Sequence, residues 1–231
     1  FRGWKVCLRT ELHDRITLDG VSYKGKGYQK PKFYHCFRSS CSKCYRYGWG
    51  HREAGNIEAR LKESCKRFGV VEHIVVSVPP KEYGLSYEVL HKKAIRVLLS
   101  RGIVGGSLIF HGGRYKRGIG YYWSPHWHCL GHVLGGFRRC RRCRKVCFEG
   151  CGGMKDRQRK GFREDGWIIK VLDERKSVFG TAKYELGHAS IDVSKKRFRA
   201  VTYFGVCSYR RLKVTVEKRK ELCPICKHDL V

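Results

Sequence analysis

The chain has 231 residues, 42% of them hydrophobic, which supports a real core and excludes a disordered basic tail. Lys and Arg number 50 against 20 Asp and Glu, a formal net charge of +30, so the expected partner is a polyanion, most simply nucleic acid. No run is long and apolar enough to span a bilayer, and no membrane role is expected.

Thirteen cysteines recur in short Cys-x-x-Cys pairs at 41/44, 140/143 and 223/226. An odd count and knuckle spacings in a basic chain favour structural zinc over a disulfide framework. Bound zinc would hold these sulfurs as thiolates and lower the real charge.

Residues 1–52 are expected to form a small, basic, zinc-stapled module. Cys36, Cys41 and Cys44 supply three sulfurs, and Cys7, His35 or His51 is the fourth ligand. Basic and aromatic residues alternate nearby, among them Lys32, Phe33, Arg38, Tyr45, Arg46 and Trp49. That pattern suits backbone contact with base stacking, and it equally suits rings packed around a metal.

Ala54, Ile57, Leu61, Cys65 and Phe68 recur at helical spacing and predict a helix over 53–68, stopped by Gly69. Residues 70–78 are β-branched and predict a strand, ended by Pro79 and Pro80. A helix follows over 86–100, with Leu90, Ala94, Val97 and Leu98 facing inward. A short strand is expected over 106–111. A basic, glycine-rich turn spans 112–120 and carries Arg114, Lys116 and Arg117. A second strand over 120–134 completes a hairpin and places His111 near it.

That second strand carries His126-Trp127-His128. On an extended chain the two imidazoles face one side and Trp127 the other. Two imidazoles on one face can hold one metal ion, and the pair needs further ligands from elsewhere.

Residues 135–166 read as a metal-folded excursion rich in Arg, Lys and Gly. Cys140, Cys143, Cys147 and Cys151 make a complete four-sulfur site, or Cys140 and Cys143 pair with Cys223 and Cys226 as two knuckles of a ribbon. A strand is expected over 167–172. A helix begins at Glu174 or Ser177 and reaches His188 or Ala189. Strands are expected over 197–205 and 212–216. The C-terminal knuckle, 219–231, needs partners from elsewhere, with 140–151 as candidates. Residues 53–218 form the central domain, interrupted by that excursion.

Tyr184 and His188 stand at i and i+4 and share one helix face. Packed on the sheet, that helix would bring His188 to His126 and His128 as a third imidazole, with Tyr184 beside the ion as nucleophile. The chemistry is then attack of tyrosine on a phosphodiester, with the metal polarising the scissile phosphate. The phosphotyrosyl link conserves bond energy, so the step can reverse and join ends. Lys183 contacts the phosphate or faces solvent. Glu185 is expected at the surface, with orienting an imidazole as the other reading. Three histidines also suit a hydrolytic zinc site that leaves Tyr184 optional.

His126-Trp127-His128 after Ser124-Pro125, with Ala182-Lys183-Tyr184 and His188, resembles the motifs of the HUH endonuclease superfamily. The nearest resemblance is to rolling-circle replication initiators of archaeal plasmids and viruses. The strand from His73 to Val78, with Ser77, is similar to the family's first motif, and 200–209 is similar to archaeal members. The resemblance covers about residues 70–215. It implies an α+β fold with a central antiparallel sheet flanked by helices, an RRM- or ferredoxin-like core with inserted zinc-binding modules. It implies a single-tyrosine nicking-joining enzyme that forms a 5′-phosphotyrosine, using Mn2+ or Mg2+ at the catalytic site and Zn2+ elsewhere. Single-stranded or locally melted origin DNA would be the substrate. A host helicase and polymerase would complete replication in the cytoplasm of an archaeal cell. A single-strand transposase of the same chemistry, a relaxase and a non-catalytic zinc protein that binds nucleic acid are the rival readings.

Overall fold

The computed structural model describes residues 4–13, 26–31, 35–137, 141, 162–172, 177–192, 198–215 and 222–231. The chain divides into two compact units, one of residues 1–36 with 216–231 and one of residues 37–215. The first unit therefore gathers both chain ends, where the sequence suggested separate N-terminal and C-terminal modules.

In that unit, β1 (Trp4–Val6) pairs antiparallel with β2 (Gln29–Pro31). Val6 and Val231 exchange backbone hydrogen bonds, at 2.9 and 3.1 Å. Among the described residues Cys7, Cys223 and Ile225 are its buried apolar cluster, with Tyr28, Cys226 and Leu230 packed against them.

The larger unit is an α+β domain built on a six-stranded sheet in the order β6-β7-β3-β5-β4-β8, with every described pairing antiparallel. The strands are β3 (Val71–Ser77), β4 (Ile103–Lys116), β5 (Gly120–Val133), β6 (Phe162–Glu164), β7 (Trp167–Val171) and β8 (Val201–Gly205). Three helices join them: α1 (Gly50–Phe68), α2 (Tyr87–Ser100) and α3 (Val178–Leu186). Since β3 and β4 each run antiparallel to β5, they are parallel to one another, and α2 is the crossover between them. This is a split β-α-β unit.

The two faces of the sheet follow from strand alternation. Trp127 and Cys129 of β5 point into one core with Ile74, Val76, Leu108 and Phe110, covered by Leu90, Ala94, Val97 and Leu98 of α2. Leu130 and Ile109 face the other core, with Ile57 and Leu61 of α1 and Ala182 and Leu186 of α3. Ser86 caps α2, its hydroxyl accepting from the Val89 amide at 3.4 Å. Gly69 ends α1 at φ 72°, the left-handed region where glycine carries no Cβ penalty.

Several boundaries differ from the sequence expectation. The hairpin strands extend to Lys116 and resume at Gly120, so most of the expected basic turn is strand. Alternating Arg and Tyr suit a paired ribbon, and only the residues around Gly118 (φ 83°) reverse the chain. Residues 212–215 form no strand. Helix α3 ends at Leu186, and His188 lies in the turn beyond it. No helix among the described residues is long and apolar enough to cross a membrane.

Candidate metal centre and nucleophile

Register brings the histidines together. His111 of β4 pairs directly with His126 of β5, and Ser77 of β3 pairs with His126 from the other side. Val75 is opposite His128 and His73 is opposite Leu130. Directly paired residues point to the same face, so His73, Ser77, His111, His126 and His128 share the face covered by α1 and α3.

Helix α3 closes over this cluster. Ser177 caps it by accepting from the Gly180 amide at 3.0 Å. Thr181, Ala182, Glu185 and Leu186 form its buried face. Glu185 is 2% exposed and sets its carboxylate among the imidazoles. Its Oε2 lies 3.2 Å from Nδ1 of His128 and 3.5 Å from Nε2 of His188, and its Oε1 lies 3.8 Å from Nε2 of His73. The carboxylate is buried because helix α3 packs that face, with Thr181, Ala182 and Leu186, onto the sheet.

Hydrogen bonds orient the rings. His126 Nδ1 lies 2.8 Å from the Ser124 carbonyl. A carbonyl only accepts, so Nδ1 carries the proton and Nε2 keeps its lone pair. His128 Nδ1 faces Nε2 of His73 at 3.0 Å as well as Glu185. His111 Nε2 is buried without a hydrogen-bond partner among the described residues, and so is Glu185 Oε2.

Three sets of donor atoms each fall within 4.8 Å of one another: His111, His126 and His128; His73, His128 and Glu185; His111, Glu185 and His188. Burial pushes His111 down to about 3, with the neighbouring His126 and His188 adding to the effect. Burial likewise pushes His126 down to about 4, although its bond to Ser124 opposes the shift. His128 is driven well below the ordinary imidazole range by burial and by the surrounding histidines. The three rings are therefore neutral at pH 7, the form that binds metal.

Tyr184 is 53% exposed and meets His188 edge-to-face, ring centroids 5.0 Å apart. His188 in turn contacts His111, centroids 4.6 Å apart. Strand and tyrosine helix do meet, and the link runs through Glu185 and His188. Lys183 is exposed. Arg114 crosses from the hairpin to donate to Ser77 Oγ at 2.6 Å, placing a guanidinium beside the histidine cluster.

No family model, curated protein or solved structure matches this chain.

The arrangement corrects the expected ligand set. His126, His128 and His188 do not form one common group among the described residues; His111 is the third imidazole beside His126 and His128. Glu185 is buried at the centre rather than at the surface, and His73 is a further member the motif reading passed over. Counted from the turn, His111 would fall opposite Pro125; a register shift between His111 and Gly113 brings it opposite His126, so the sequence carried no direct signal for the pairing.

The cysteines also resolve differently. Cys7 lies with His13, Cys223 and Cys226. The C-terminal knuckle thus meets Cys7 and His13. Cys140, Cys143, Cys147 and Cys151 lie outside the described residues, as does most of the 135–166 excursion. None of the described cysteines is in a disulfide. These Cys and His clusters are compatible with zinc.

Proposed function

We propose that this protein is a metal-dependent single-strand DNA endonuclease and strand transferase that uses Tyr184 as its nucleophile. The observation that carries the reading is the cluster of neutral His111, His126 and His128, the first two buried, joined to Glu185 and His188 through His111 and His128, with exposed Tyr184 against His188. The split β-α-β unit supports a ferredoxin-like core of the HUH type.

The donor set fits a divalent ion, since His111 Nε2 and Glu185 Oε2 are buried and make no hydrogen bond among the described residues, and the bond from His126 Nδ1 to a carbonyl leaves its Nε2 lone pair available. His111, His126 and His128 would hold the ion, with Glu185 and His188 beside it. Imidazole-rich sites favour Mn2+ over Mg2+. When bound, the ion polarises the scissile phosphate and offsets charge on its oxygens.

Tyr184 Oη attacks the phosphorus and forms a new P–O bond. The bond from phosphorus to the departing O3′ breaks, leaving a 5′-phosphotyrosine and a free 3′-hydroxyl. The phenolic proton leaves to solvent, and the departing oxygen takes one up. Because one phosphodiester replaces another, a returning 3′-hydroxyl reverses the step. Rolling-circle initiation at a plasmid or viral origin is the biological use this chemistry suits best, with helicase and polymerase supplied by the host.

The hairpin supports a single-stranded substrate. Beyond the histidines it carries exposed Tyr115, Tyr121, Tyr122 and Trp123 among Arg114, Lys116 and Arg117. Aromatic rings interleaved with cations stack bases and hold backbone phosphates.

The test is incubation with a single-stranded oligonucleotide library and Mn2+, followed by a denaturing gel. Protein–DNA adducts are expected, and Tyr184→Phe should lose them. Adducts that persist in Tyr184→Phe would remove the nucleophile assignment. Cleavage without adducts in both proteins would favour the hydrolytic reading of the same histidines.

A further inference from the structure

We infer that the unit made of the two chain ends is folded around a structural zinc ion held by Cys7, His13, Cys223 and Cys226. All four donor atoms fall within 4.8 Å of one another. The inference stands apart from the nickase reading, since none of these residues belongs to the histidine centre.

The spacing of donors fits one tetrahedral ion. Zinc binds sulfur at about 2.3 Å and imidazole nitrogen at about 2.0–2.1 Å, so tetrahedral donors lie roughly 3.5–3.8 Å apart. Cys7 Sγ is 3.5 Å from Cys226 Sγ, and Cys223 Sγ is 3.4 Å from His13 Nε2. His13 Nδ1 lies 2.6 Å from the Lys26 carbonyl. That carbonyl only accepts, so it fixes the proton on Nδ1 and turns the Nε2 lone pair toward the sulfurs, as second-shell partners of zinc-bound histidine do.

The backbone is arranged for the same purpose. The Lys227 amide donates to the Cys223 carbonyl at 2.9 Å, closing a tight knuckle, and Lys227 takes φ 64° to do so. The Cys7 amide donates to the Tyr28 carbonyl at 2.9 Å, fixing the other side. Cys7, Cys223 and His13 are each about 1% exposed or less, so the site is closed to solvent on those sides. Closed four-donor sites are structural; catalytic ones keep a position open.

Packing shows why a metal is needed. Two of the three buried apolar residues described in this unit, Cys7 and Cys223, are themselves the ligands. Ile225 alone remains as a buried core residue of another kind among the described residues, and units that small need a metal or disulfides to fold.

The test uses the full chain as purified. Cysteine alkylation, mapped by peptide mass spectrometry, is expected to leave Cys7, Cys223 and Cys226 protected until a strong chelator is added. All three should then become reactive together. Zinc per chain should fall by one equivalent in Cys7→Ser, and His13→Cys should restore a full complement where His13→Ala loses it. Cys7 reacting freely while Cys223 and Cys226 stay protected would overturn the assignment. So would an undiminished zinc content in both Cys7→Ser and His13→Ala.

Discussion

Glu185 Oε2 lies 3.2 Å from Nδ1 of His128, a carboxylate at 2% exposure holding an imidazole on the adjacent sheet. The carboxylate thus sets a charge beside the ring. Glu185→Gln keeps the shape and removes the charge. The expected result is a roughly 10–100-fold loss of Mn2+ affinity or of adduct formation, the usual effect of losing such a partner. A Mn2+ titration of the adduct yield reads it, and an unchanged titration would show that the carboxylate serves packing alone.

His111 stands opposite His126 and has no hydrogen-bond partner at Nε2 among the described residues. His111→Ala is expected to abolish adduct formation while leaving zinc content at the wild-type value. His188→Ala should reduce activity less, because that ring is 49% exposed and reaches the cluster from its rim. Equal losses in the two variants would contradict this ranking. The measurement is initial adduct yield under saturating Mn2+, with zinc determined in parallel.

The metal-free protein should be acid-sensitive. His111 and His126 have an ordinary value of 6.5 when unfolded and are pushed to about 3 and about 4 when folded. Above pH 6.5 neither state binds protons, and the full stability is present. As pH falls below 6.5 the unfolded chain takes up protons that the folded chain refuses, so stability declines toward pH 4 and below. Thermal midpoints of chelator-treated protein across this range check the sign. His126→Asn should flatten the decline, and a midpoint that rises on acidification would refute the burial argument.

Tyr121 is 84% exposed at the hairpin tip and meets Tyr115 edge-to-face, ring centroids 5.3 Å apart. Tyr121→Ala should change stability by less than about 0.5 kcal/mol, as exposed substitutions do. Binding of a single-stranded oligonucleotide should weaken by about 1–3 kcal/mol if the ring stacks on a base. Fluorescence anisotropy measures the second effect and thermal unfolding the first.

Helix α3 is short, so its cap matters. Ser177→Ala removes the acceptor for the Gly180 amide and should cost about 1 kcal/mol. Since α3 carries Glu185 and Tyr184, adduct yield should fall with it near the unfolding midpoint and recover on cooling. A lasting loss at low temperature would mean that the cap also places the nucleophile.

Much of the fold was legible from periodicity. The apolar spacing of Ile57 and Leu61, of Leu90 and Ala94, and the β-branched run before Pro79 each state a local geometry that the tertiary structure keeps. The shared face of His126 and His128 follows from alternation along one strand and needs no partner. What alternation does not contain is register. His111 and His73 join the cluster only because β4 and β3 pair with β5 at one particular offset, a choice made by the two cores on either side of the sheet.

Glu185 and Cys7 show the same division. A glutamate between Tyr184 and Leu186 on a short helix reads as a surface charge, and it becomes buried because the helix packs that face onto the histidine-bearing sheet. Cys7 reads as one possible fourth ligand for Cys36, Cys41 and Cys44, since spacing along the chain says nothing about closure over more than two hundred residues. The sequence by itself determined the ligand types, the basic surface and the strand and helix that carry them. Only the tertiary structure decided which ligands meet, because long-range pairing is selected by packing and burial of the whole sheet rather than by any local run of residues.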